Sequence, residues 1–283
     1  MLAFRRYYHL TLTLAAAIAA TAPAAAQAQG KLDAAFRVTL AGIPIGKGTW
    51  TIEMTDTHYT AAASGATTGL MKVFTGGHGV STATGTLVAG QPLSSIYAST
   101  IFSRKKSDAI RLTIDKGAVK ELKLDPPQEP DATRVPVTEA QQHGVLDPMT
   151  ALLLRTPGTG DPISADACQR TVPVFDGRIR YDLQLTFKRM EQVKTDKGYS
   201  GPVVVCSFSF TPVAGYAPSR MAIRYIAERR DMEVWLAPVA GTRVLVPYRA
   251  ESPTPIGPVV FEATQFVSTA TPLRASANGA KAQ

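Results

Sequence analysis

The chain has 283 residues, 45% of them hydrophobic and 18% charged, with a formal net charge of +8 and two cysteines. This balance excludes a disordered or fibrous chain, and the length suits one all-β domain with a core large enough to need no staples. After the first residues, no stretch holds the ~18 consecutive apolar residues of a membrane-spanning helix.

Residues 1–28 have the make-up of a secretory signal: Arg5 and Arg6, then an apolar run over Leu10–Ala20, then Ala26-Gln27-Ala28 as a cleavage site. Cleavage is expected after Ala28. No cysteine follows the cut, so no lipoprotein is expected, and the product is a soluble protein of an oxidising compartment, most simply the periplasm. There, a basic surface meets anionic headgroups and cell-wall polymer rather than nucleic acid. The clusters Arg104-Lys105-Lys106 and Arg229-Arg230 read as solvated faces.

The mature chain reads as many short strands in a single domain over 29–267, followed by a loose tail over 268–283. Ala34–Thr55 alternates Phe36, Val38, Leu40 and then Trp50, Ile52, Met54 around a Gly/Pro-rich connection, the pattern of a hairpin. His58–Gly69 and Gly79–Gly90, rich in Thr, Ser and Ala, are strands or loops, with a helical turn or two over Leu70–Phe74 between them. Pro92–Phe102 and Ala109–Asp125 are strands, the second stretch turning at Lys116-Gly117. Asp131–Gln142 is a polar loop. "DPMTALLLRTPG" (Asp147–Gly158) is the best helix: Asp147 is an N-cap, Pro148 suits the first helical position, and Gly158 follows the end. Gly160–Cys168 is a loop.

In "VFDGRIRYDLQLTF" (Val174–Phe187), Asp176-Gly177 is a hairpin turn, with positive φ expected at both positions. Asp182 belongs to the polar face near Arg180, so the two carboxylates do not form an acid/base pair. Strands resume in "VVVCSFSFTPV", "MEVWLAPV", "RVLVPYRA" and "PVVFEATQF". A turn near Asp196-Lys197-Gly198 sets Cys206 beside Phe187. Straight pairing leaves Cys168 one strand too far away for a disulfide, roughly 9–10 Å. The proline-containing segment before Val174 can close that gap, and two cysteines in an exported chain favour a Cys168–Cys206 bond over free thiols.

Alternation places Leu183, Leu185 and Phe187 on one face of their strand and Phe208 and Phe210 on one face of the next, an apolar groove if nothing covers them. No cofactor or metal motif is present. His58, His78 and His143 are dispersed, and "GIPIGKG" (Gly42–Gly48), which joins two strands, lacks one residue of a phosphate loop. Ser103-x-x-Lys106 stands without the companion motifs of a penicillin-binding site.

"DPMTALL", "CQRTVPVFDGRIRYDL", "VVVCSFSFTPVAGY" and "DMEVWLAPV" followed by "VLVPYR" resemble domain-of-unknown-function family 3108, exported bacterial envelope proteins. The resemblance covers most of the mature chain and carries no catalytic residues. It implies a mainly β fold: a curled antiparallel sheet or incomplete β-barrel with one or two short helices, similar in shape to lipoprotein-localisation carriers. The function expected is non-enzymatic binding of a lipid, an amphiphile or a lipidated envelope partner. The alternatives are an interaction protein for envelope integrity with a packed interior, and a hydrolase whose site a single sequence hides.

Overall fold

A computed structural model describes residues 30–69, 72, 76–104 and 106–270. The signal sequence expected over 1–28, the helical turn expected over Leu70–Phe74 (Lys72 apart), Lys105 and the tail beyond Ala270 lie outside the described residues.

The described residues form one sheet of 15 strands, and the fold is mainly β. The first seven make an up-and-down meander: β1 (Gly30–Leu40), β2 (Ile43–Met54), β3 (His58–Thr67), β4 (His78–Val88), β5 (Gln91–Phe102), β6 (Ser107–Asp115) and β7 (Ala118–Asp125). The second half supplies β8 (Leu154–Arg155), β9 (Arg170–Phe175), β10 (Arg180–Lys194), β11 (Lys197–Gly198), β12 (Ser200–Ala214), β13 (Met232–Pro238), β14 (Val244–Ser252) and β15 (Val259–Ala270). The last strand joins the halves. It pairs with β1 on one side and β14 on the other, giving the order β7-β6-β5-β4-β3-β2-β1-β15-β14-β13-β12-β10-β9. Among the described residues the strand pairings are antiparallel except the short parallel contact of β11 with β15, and the isolated bridge of Leu146 to Val174 is parallel as well.

Local chemistry sets the meander. Ala41-Gly42, Ala89-Gly90 and Lys116-Gly117 each place two residues at positive φ, the two-residue turn whose twist matches the strands it joins. Bulges at Val38/Thr39 and Ala35/Phe36 add twist and help the sheet curl. The curl brings the two edges together without closing the ladder. Beside Gly177, in the β9–β10 turn, lie the side chains of Ile110, Leu122 and Leu124 from β6 and β7. Arg178 binds Asp108 at 3.0 Å, and the Val145 N–H donates to Gly117 O at 3.0 Å.

Two apolar clusters result. The larger gathers the inward residues of the meander, such as Leu32, Ile52, Tyr59 and Leu112, with Val203, Val205, Trp235 and Phe266. The smaller gathers Val172, Val174, Leu185, Val204, Cys206, Val234 and Leu236 with Ala151, Leu154 and Ala167 from the segment that crosses that face. Strand β12 is therefore buried on both faces at Val203–Cys206, which is why that stretch is a continuous apolar run rather than an alternating one.

Several expectations change. Asp147–Gly158 is not a helix. Asp147 does cap the turn, its Oδ1 accepting from the N–H groups of Met149 at 2.9 Å and Thr150 at 3.0 Å, but only Thr150–Leu152 winds, as a 3-10 turn. The chain then extends so that Leu153 enters the larger cluster and Leu154 the smaller one. A helix would turn the two only about 100° apart, too little to reach clusters on opposite sides. The described α-helix is α1 (Met221–Glu228), which the sequence reading passes over. "GIPIGKG" is no connection: from Ile43 it lies within β2, with Gly46 and Gly48 paired to Val38 and Phe36. The two uncertain Thr/Ser/Ala stretches are β3 and β4. The domain also runs three residues further than expected, since Ser268, Thr269 and Ala270 pair with Leu32, Lys31 and Gly30.

The Asp176 turn has one positive φ, at Gly177. Asp176 acts through its side chain instead, Oδ1 accepting from the N–H groups of Arg178 and Ile179, both at 2.7 Å. Asp182 pairs with Arg180 at 2.7 Å, as a polar-face residue should.

Candidate functional site

The cysteines fasten the segment over 146–168 to the sheet. Phe187 pairs with Cys206 in register, and Cys168 reaches Cys206 from across the face, with Sγ–Sγ 2.06 Å and Cα–Cα 5.5 Å. The same segment is held by Leu154–Arg155 pairing with Val244–Leu245 and by a bridge between Leu146 and Val174.

A buried polar chain anchors its start. The Asp147 N–H donates to Ser94 Oγ at 3.0 Å, the Thr150 hydroxyl donates to Asp147 Oδ2, and Tyr59 Oη lies 2.5 Å from Thr150 Oγ1. Gly85 makes room for this, because a Cβ there would stand 2.5 Å from the Tyr59 ring. Burial, then the Asp147 charge, raise the Tyr59 pKa. All four residues are buried and none lines the cavities described below. The chain therefore positions the segment; it does not present a reactive group.

Between that segment and the sheet lies a cleft of about 180 Å³. Ala151, Leu152 and Leu154 form one wall, and Val172, Leu183, Leu185, Phe208, Val234 and Leu236 form much of the other, with Pro247, Ala250 and Phe261 at one end. Every lining side chain is apolar. Leu183, Leu185 and Phe208, from the five residues read as a groove, meet here. Phe210 does not line the cleft; it packs on Tyr181 with ring centroids 5.1 Å apart. Phe187 is 38% exposed, outside the cleft, next to a bulge in β10. The wall from β13, β14 and the 146–168 segment is invisible to alternation within one hairpin, because it comes from distant sequence.

The same face continues into the meander. Phe261 pairs with Val38, and Val38 borders an open trough of about 540 Å³ lined by small residues such as Gly46, Ala63, Gly65, Gly79, Ser81 and Ser99. Among the described residues no group of three or more His, Cys, Asp or Glu could hold a metal ion, and no helix is long and apolar enough to cross a membrane. His78 stacks on Phe102 at 4.9 Å, and Ser103 and Lys106 close the β5–β6 turn. On the second basic cluster, Arg229 lies over the Tyr225 ring at 4.7 Å.

The fold and cleft define a mainly β, barrel-like protein whose incompletely closed sheet keeps an apolar space under a disulfide-fastened segment. Residues 35–264 match the family described as Protein of unknown function (DUF3108), and the chain belongs to that family. Among solved structures it is similar to a "Beta-barrel-like Protein of Domain of Unknown Function DUF1849 from Brucella abortus", at 11% identity and TM-score 0.48, over 86% of this chain and 99% of that one. No curated protein matches.

Proposed function

We propose that the protein is a non-enzymatic periplasmic envelope protein that holds the apolar part of a lipid or other amphiphile in the cleft. The observation that supports this is a half-open cleft of about 180 Å³ walled by apolar side chains alone. Soluble proteins seldom leave contiguous apolar surface open to water without a use for it. A dry apolar cavity of ~150 Å³ binds benzene-sized ligands, so this one holds a ring or several methylenes. The trough beyond Val38 gives a longer chain room to continue.

The test is saturable binding of the neutral fluorophore N-phenyl-1-naphthylamine, with native mass spectrometry of protein taken directly from the periplasm to identify co-purifying lipid. Leu152 lines the cleft and is 37% exposed, so Leu152→Trp fills the space from its rim with little strain. Wild type should bind, and the variant should bind at least tenfold more weakly with an unchanged circular dichroism spectrum. Absence of saturable binding by wild type, or equal binding by the variant, overturns the reading and leaves an interaction protein with a packed interior.

A further inference from the structure

We infer that the ligand is an anionic amphiphile whose headgroup docks on Arg170, an inference that rests on the apolar-chain binding proposed above. A second cavity, of about 240 Å³, adjoins the cleft, with Ala151, Leu154 and Val172 lining both. Its other apolar lining includes Leu93, Leu146 and Leu153, and its one ionisable side chain is Arg170. Arg170 and Val172 are two apart on β9 and so share a face. Arg170 also pairs directly with Leu185 of β10, a wall residue of the cleft. A cation thus stands, with the polar side chains of Gln91 and Thr171, beside the apolar residues of this cavity.

That cation has no acidic partner among the described residues. Its Nη2 donates to two main-chain carbonyls, of Arg155 at 2.8 Å and Asp166 at 3.4 Å. Its Nε is buried without any partner. Desolvation, and after it the nearby Arg155 charge, push its pKa down. By contrast, Arg178, Arg180, Arg189 and Arg249 each have a carboxylate within ion-pair distance. A half-buried guanidinium without a counter-charge gives up part of its hydration with no charge to replace it. A carboxylate or phosphate oxygen relieves that cost, because the planar fork of N–H donors matches it. The carbonyl bonds fix the guanidinium in place through Nη2, Nε is closed off from solvent, and Nη1 is left as the donor for an incoming anion. An amphiphile satisfies both features: its anion meets Arg170 and its chain runs along Val172 to Leu183 and Leu185.

The experiment compares dodecanoate, dodecanol, dodecyltrimethylammonium and acetate as competitors of the fluorophore, on the exported protein, where the acid is ionised. Dodecanoate should bind at least about tenfold more tightly than dodecanol, the ratio expected of a charge-assisted hydrogen bond, with the ammonium weakest and acetate ineffective. Arg170→Gln should bring the dodecanoate-to-dodecanol ratio close to one without changing dodecanol, and Arg170→Lys should restore part of it. Equal binding of dodecanoate and dodecanol by wild type overturns the headgroup inference and leaves the cleft reading intact. No binding of any chain overturns the cleft reading itself. Competition by acetate alone marks a free-anion site and overturns the amphiphile. Equal weakening of both chains by Arg170→Gln and Arg170→Lys assigns Arg170 a structural role only.

Discussion

Replacing both Cys168 and Cys206 by alanine should destabilise the protein chiefly through its unfolded state. The bond spans a sequence separation of 38, so the cross-link closes β9, β10, β11 and the first part of β12 into one loop. In the chain-entropy picture, opening a loop of that length frees the denatured chain by about 4 kcal/mol at 25 °C. For a domain of this size, roughly 2–4 °C is lost per kcal/mol, so the midpoint should fall by on the order of 8–16 °C. Alanine avoids burying a hydroxyl, which matters because both cysteines are fully buried. Urea titrations of the variant and of oxidised and reduced wild type provide the measurement. The variant and reduced wild type should agree, each with a steeper denaturant slope than the oxidised protein because the uncross-linked chain exposes more surface. A variant within 1 kcal/mol of oxidised wild type would refute the reasoning, as would two free thiols in denatured, unreduced protein.

Phe266→Ala should cost about 3–5 kcal/mol, since Phe266 is completely buried. Phe208→Ala should cost less, because that half-buried ring already borders a void; equal losses in paired melts would make the cleft an ordinary core. Thr150→Val should cost about 1–3 kcal/mol by orphaning the Tyr59 hydroxyl and Asp147 Oδ2, and urea titration of Thr150→Val against Thr150→Ser checks it, with serine expected to hold the network. Burial raises the Asp176 carboxyl above its ordinary pKa of 3.8, only partly offset by the Ile179 and Arg178 N–H groups. A raised folded pKa means stability present below the unfolded value and lost as pH rises through the folded one. Asp176→Asn keeps the acceptor oxygen, so it should melt higher than wild type at pH 7, with the difference vanishing below the unfolded pKa of ~3.9; a lower melt at pH 7 counts against it.

Short-range chemistry was legible in the sequence. Period-two alternation marked β1, β2, β10 and β12. Lys116-Gly117 and Asp176-Gly177 marked turns, and the turn near Gly198 set the register from Lys194–Ser200 to Arg189–Val205, which a bulge then shifts by one residue to pair Phe187 with Cys206. These follow from side-chain period and turn geometry, which need no distant partner. The helix α1 left a local signal as well: Ile223, Ile226 and Ala227 recur at i, i+3 and i+4 among arginines. The Asp147–Gly158 stretch shows where local signals stop. Its cap residue was legible, but its conformation was decided by two apolar clusters that claim Leu153 and Leu154 in opposite directions, and by a strand partner about 90 residues away at Val244–Leu245. The cleft was legible only as one wall. Leu183, Leu185 and Phe208 could be read from alternation, whereas Ala151, Val234 and Phe261 reach them only because β15 joins the two halves and the sheet curls. Whether an apolar face is packed or left open depends on what folds over it, and that is fixed by contacts between segments far apart in the chain.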